Sequence, residues 1–93
     1  MYTFKLYVVG KTPRSMRAIE ALKRHLEADF KDMYSLDVID LLRDPGAGDK
    51  DMVLATPTAI RVSPPPERRI LGDFTDKERV FSGLGLKPDW NLK

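Results

Sequence analysis

The sequence predicts a small single-domain α/β fold with the element order β-α-β-α-β-β-α. Three observations predict it. A strand-like stretch at residues 2–9 leads through Gly10 into an amphipathic segment of helical period that ends at Phe30. A Thr-Pro step, Thr56-Pro57, opens a later apolar stretch. Three consecutive prolines, Pro64-Pro65-Pro66, divide that stretch into two short strands, because proline cannot donate to a β-ladder.

Each element has its own local signals. Residues 2–9 are aromatic and β-branched, with Phe4, Leu6 and Val8 on one side. Gly10 ends the strand. Thr12 is a helix N-cap and Pro13 fits the first helical position. Met16, Ile19, Leu22, Leu26 and Phe30 then recur every three or four residues as one apolar stripe. Residues 34–42, with Leu36, Val38, Ile39 and Leu41, read as a buried parallel strand, since a helical crossover precedes them. Arg43-Asp44-Pro45-Gly46-Ala47-Gly48 is a loop, and Asp49 is expected to cap a short helix to about Leu54. Residues 58–62 form the third strand and 68–71 the fourth. Thr75-Asp76-Lys77-Glu78 is a capping box opening a helix through Val80, Phe81 and Leu84, with Gly85 as its stop. Residues 87–93 carry no period and read as a tail, either disordered or docked through Trp90.

This order is that of the thioredoxin fold, in which a cis-proline stands where Pro57 stands here. Thr56-Pro57 is therefore expected to be cis, an isomer that X–Pro bonds alone tolerate readily. The redox motif is missing. Residues 10–15, Gly-Lys-Thr-Pro-Arg-Ser, hold the helix start without a thiol, and the chain has no cysteine.

Composition narrows the function. Ninety-three residues make one domain with a modest core, and 42% hydrophobic content suits a globular chain. A net charge of +2 from 16 basic and 14 acidic residues is too balanced for nucleic acid as the main partner. No apolar run is long enough for a membrane span, and the N-terminus shows no charged leader, so the expected address is the cytoplasm. Disulfides and thiol redox are excluded. No catalytic, metal or cofactor set emerges. His25 is a lone histidine, read as surface or boundary. Asp40 at a strand end is best explained by loop N–H groups, and Asp73 and Asp76 by helix capping. Gly46 and Gly48 lack the Lys-Ser/Thr of a phosphate loop. The basic residues Arg14, Arg17, Lys23 and Arg24 on the first helix, and Arg68 and Arg69 after the prolines, suit a solvated face individually and a protein-binding surface as a set.

Leu6-Tyr7-Val8-Val9-Gly10, Val38-Ile39-Asp40, Leu54-Ala55-Thr56-Pro57-Thr58, Pro64-Pro65-Pro66 and Arg69-Ile70-Leu71-Gly72-Asp73 occur in one order. Together they closely resemble the KaiB family of clock proteins, over roughly residues 4–86. The sensor domain of a histidine kinase is similar but lacks this combination. The resemblance implies no enzymatic activity and no cofactor. It implies binding to the N-terminal ATPase ring of KaiC, with Arg17, Asp49 and Met52 falling on the partner-facing surface. It also implies two folds: an oligomeric ground state, tetramer or dimer, of order β-α-β-β-α-α-β, and a monomeric thioredoxin-like state that binds. Gly83, Leu84 and Gly85 lie in the segment that would switch. Gly83→Ala is expected to favour the helix, glycine being about 1 kcal/mol worse than alanine there. KaiA capture is left open, since Asp37 stands where the family pattern has lysine. Two alternatives are a stand-alone sensor domain for a kinase partner and a cysteine-free thioredoxin-like enzyme using Ser15 or Thr12.

Overall fold

A computed structural model describes residues 1–86 and shows the expected order: β1 (Tyr2–Val8), α1 (Pro13–Phe30), β2 (Tyr34–Asp40), α2 (Ala47–Lys50), β3 (Thr58–Ser63), β4 (Arg68–Leu71) and α3 (Lys77–Leu84). The strands form one sheet in the order β2-β1-β3-β4. β1 runs parallel to β2, the long α1 supplying the crossover that a parallel pair requires, and antiparallel to β3. β4 returns antiparallel to β3 around the proline run.

The strand period of two assigns the faces. Phe4, Leu6 and Val8 of β1 enter a core with Ala59 of β3, Leu22, Leu26 and Phe30 of α1, and Val80, Phe81 and Leu84 of α3. Phe30 meets Phe81 edge-on at 5.5 Å, joining the two helices. Lys5 and Tyr7 point to the opposite face, which the α2 segment covers.

Several elements depart from expectation. β2 ends at Asp40 rather than 42, and it is an edge strand with Ser35, Asp37 and Val38 exposed. The cause is that β3, not β2, takes the inner position beside β1. β1 likewise stops at Val8, leaving Val9 exposed. α2 is a single turn that starts after Gly46, so Asp49 lies inside it and does not cap it. It ends before Leu54 because Met52 adopts a left-handed backbone, φ 53°. In α3 the cap is Asp76, whose carboxylate accepts the Arg79 N–H; Thr75 is itself held by Asp73. Gly85 is the stop, at φ 68°, and Leu86 N–H reaches back to Phe81 C=O at 2.8 Å.

α1 has its expected bounds but buries a rotated face. Met16 is 42% exposed, while Ser15, Ala18, Ala21, Leu22, His25, Leu26 and Phe30 are buried. His25, expected near the surface, is on that buried face, and its Nε2 is hydrogen-bonded at 2.8 Å to the Phe74 carbonyl. Thr56-Pro57 is cis, as are Ser63-Pro64 and Pro65-Pro66. The expectation for the tail falls on residues outside those described. Among the described residues no helix is long and apolar enough to cross a membrane.

Candidate interaction surface

The C-terminal end of β1 gathers the segments that matter. α1 begins there after the Gly10 turn. Because β3 is antiparallel to β1, with Tyr7 opposite Thr58, the loop before Thr58 lies at the same end. The residues after Asp40 join them, with Leu42 lying over Gly10. On these segments Val9 is 38% exposed, Met16 42%, Leu42 68%, Met52 73% and Leu54 95%. Single exposed apolar residues are ordinary, but several on the converging loops of one sheet end make that end the candidate interaction surface. Of this apolar rim, the sequence nominated Met52 alone, among charged residues, and missed Val9, Met16, Leu42 and Leu54, which only their placement in the fold brings to one end of the sheet.

The nominated residues divide. Arg17 is exposed on α1, and Asp49 and Met52 are exposed in and after α2. The helix and the α2 segment lie on opposite faces of the sheet, so a partner touching both must lie across this end. Arg68 and Arg69 do not form one basic patch. Alternation along β4 sends them to opposite faces, Arg68 beside Gly85 and Arg69 beside α2. The Arg69 Nη1 donates to the Asp51 carbonyl at 2.7 Å, and Nη2 pairs with Glu67 at 2.7 Å.

Asp51 is the centre of a polar cluster that sequence reading did not find. Its carboxylate accepts the Tyr7 hydroxyl and pairs with Lys5 Nζ at 3.2 Å. Burial, then the bond to Asp51, pushes the Tyr7 phenol well above its ordinary range. The Tyr7 bond, supported by Lys5, holds Asp51 below the usual carboxylate range. Asp40 plays the capping part expected of it. Its Oδ1 accepts the Gly10 N–H at 2.8 Å and the Leu42 N–H at 2.9 Å, and these bonds lower its pKa.

The hydroxyls of the helix start are committed to structure. Thr12 Oγ1 caps the Ser15 N–H at 3.1 Å, and Ser15 Oγ, buried, donates to the Val9 carbonyl at 3.1 Å. His25 lies ten residues further along the same helix, about 15 Å away, and is bound to Phe74, so it serves neither hydroxyl as a base. A cleft of about 180 Å³ between β4 and the start of α3, bordered by Ile70, Phe74, Arg79 and Val80, is smaller than the roughly 300–1,000 Å³ of ligand sites. Among the described residues no group of three potential ligands could hold a metal ion.

The segment around Gly83, Leu84 and Gly85 is tightly held. Leu84 is fully buried. Its carbonyl accepts Arg61 Nε at 2.7 Å, and Arg61, only 6% exposed, also donates to Pro64 C=O at 2.5 Å. The guanidinium thus offsets the negative end of α3. Gly83 faces Ile70: a Cβ there would lie 2.1 Å from Ile70 Cγ2. The expectation that alanine simply favours this helix omits that collision.

Comparison with known proteins places this geometry. The KaiB domain family matches residues 5–86. A protein named circadian clock oscillator protein KaiB from a Synechococcus species is 52% identical over 88 residues, covering 95% of this chain and 74% of that one. Its namesake from Prochlorococcus marinus is 53% identical over 85 residues, covering 91% and 73%. Among solved structures, the N-terminal domain of Synechococcus elongatus SasA superposes with a TM-score of 0.74 at 21% identity, covering 98% of this chain and 83% of that one, which speaks to the fold alone. A family match across nearly every described element, with half the residues shared by named relatives, settles the family. This chain is a member of the KaiB family of circadian clock proteins.

Proposed function

We propose that this chain is a non-enzymatic timing regulator that binds the N-terminal ATPase ring of a KaiC-like hexamer through the loop end of its sheet. The observation that carries this reading is the apolar rim of Val9, Met16, Leu42, Met52 and Leu54, with Arg17 beside it. An exposed apolar rim with a polar border is the pattern of a protein-binding surface. The relatives named as clock oscillator proteins support a regulatory role. The thioredoxin-like arrangement is the binding state in this reading, reached from a homo-oligomeric ground state, tetramer or dimer, by refolding of the segment around Gly83, Leu84 and Gly85. Two packings separated by a few kcal/mol suffice for such a switch, with the partner's differential affinity selecting one. Arg17, Asp49 and Met52 belong to the contact surface; Arg69 acts from behind it, and Arg68 lies on the other face. Asp37 puts a negative charge on the open β2 edge, so the proposal commits to the KaiC-like partner and not to KaiA.

A second reading, a stand-alone sensor domain for a kinase partner, is compatible with the same thioredoxin-like fold. Immobilised chain presented with a purified KaiC homologue and ATP separates the two. Retention of the homologue is expected. Failure to retain it at micromolar concentration leaves the sensor reading in its place.

A further inference from the structure

We propose that Asp51 is a positioning residue that presets the segment Met52-Val53-Leu54 for the partner. The inference rests on the binding reading above. Asp51 joins three elements. Its carboxylate is bound to Tyr7 and Lys5 of β1, and its carbonyl to Arg69 of β4. The far end of the segment is also tied, by the Thr58 hydroxyl donating to the Ala55 carbonyl at 2.6 Å. Between the two ties Val53 turns inward, its N–H bonded to Gly48 C=O at 2.9 Å. Met52 and Leu54 are turned out to water, 73% and 95% exposed.

Three features argue for presentation over packing. The cluster lies on the sheet face opposite the main core, so it does not fill that core. A buried ion pair often contributes no more net stability than apolar residues of equal volume, so the directional bonds of this cluster are better accounted for by the arrangement they hold. Met52 is held at φ 53°, a left-handed backbone that a side chain other than glycine adopts only where its surroundings impose it. Here the surroundings are the C-cap of α2, in which the Met52 N–H is bonded to Asp49 C=O at 3.2 Å and the Val53 N–H to Gly48 C=O at 2.9 Å, and the ties at Asp51 hold that cap against β1 and β4. A segment ordered before binding does not lose that freedom on binding, so the tether raises affinity without touching the partner.

The test uses Tyr7→Phe, which removes one hydroxyl and keeps the ring, and Asp51→Asn, each alone and in a Met52→Ala/Leu54→Ala background. Backbone amide relaxation at residues 52–54 is measured on the signals of the thioredoxin-like monomer, and affinity is titrated with a purified KaiC homologue and ATP. Amides 52–54 should become mobile in both variants, with α1 and the sheet unchanged. Affinity should fall about tenfold, equivalent to freezing roughly one backbone residue. In the Met52→Ala/Leu54→Ala background the loss should shrink below about twofold, because the tether then has nothing to present. Unchanged order at 52–54 in both variants overturns the proposal, as does an equal loss of affinity in both backgrounds. If Asp51→Asn does not fold, Tyr7→Phe decides alone. If the unaltered chain binds no KaiC homologue, the binding reading fails, and relaxation at 52–54 still decides whether Asp51 orders the segment.

Discussion

The contact between Gly83 and Ile70 decides how alanine at position 83 acts on the fold. Glycine inside a helix is about 1 kcal/mol less favourable than alanine, which taken alone predicts that Gly83→Ala strengthens α3. A Cβ at this position, however, lies 2.1 Å from Ile70 Cγ2 and 3.5 Å from its Cβ. Carbon atoms pack at about 3.5–4.0 Å, so the first contact is a collision and the second is ordinary. Overpacking of this kind costs roughly 1–3 kcal/mol, less where the neighbour can move. Ile70 is half-buried on the edge strand β4. Gly83→Ala alone is therefore expected to leave stability unchanged or to lower it by up to about 2 kcal/mol, the propensity gain set against the collision. Ile70→Ala removes the colliding methyl, so the same change at 83 should then stabilise by about 1 kcal/mol. Urea denaturation of the four proteins of this cycle measures the coupling, expected at about 1–3 kcal/mol. Additivity within about 0.5 kcal/mol would refute the reasoning and return position 83 to helix propensity alone.

Arg17→Glu should weaken binding to a KaiC homologue about tenfold with the melting temperature unchanged, since the residue is exposed on α1; unchanged affinity removes α1 from the surface. His25→Ala should destabilise by about 2–4 kcal/mol, through a cavity against Phe81 and an unpaired Phe74 carbonyl, and a loss under about 0.5 kcal/mol in denaturation would return His25 to the surface. Burial and the bond to Glu27 push the Tyr34 phenol up to about 12, and Tyr7 is raised further. Unfolded tyrosine ionises near about 10, so from there upward the unfolded chain alone loses protons, and stability is present below that pH and lost as pH rises toward the folded values. Alkaline melting curves should show this loss, and Tyr34→Phe should reduce it; an unaltered profile would remove the Tyr34–Glu27 bond from the account.

The element order was legible because local signals punctuate it: Gly10 and Pro13 at the start of α1, the proline run between β3 and β4, Gly85 after α3. The buried face of α1 was not, because Ser15, Ala18 and Ala21 are small and carry little hydrophobic signal beside Met16 and Ile19. His25 was misread for the same reason. Asp40 was legible, since its partners Gly10 and Leu42 lie in the adjoining loops. The Asp51 cluster and the Arg61 latch were not. Tyr7 and Asp51 are separated by 44 residues, and Arg61 and Leu84 by 23, so only the sheet register brings them together. The apolar rim was legible only at Met52, which the family resemblance put on the partner-facing surface; Val9, Met16, Leu42 and Leu54 carry no local sign of exposure, and the fold brings them to one end of the sheet.

The most direct test of the binding reading is size-exclusion chromatography with light scattering on the chain mixed with a purified KaiC homologue and ATP. The account predicts that this 10.6 kDa chain leaves its own elution position and travels with the hexamer, and that Arg17→Glu stays behind. Elution of the unaltered chain only at its own position, at micromolar concentrations of both proteins, would contradict it.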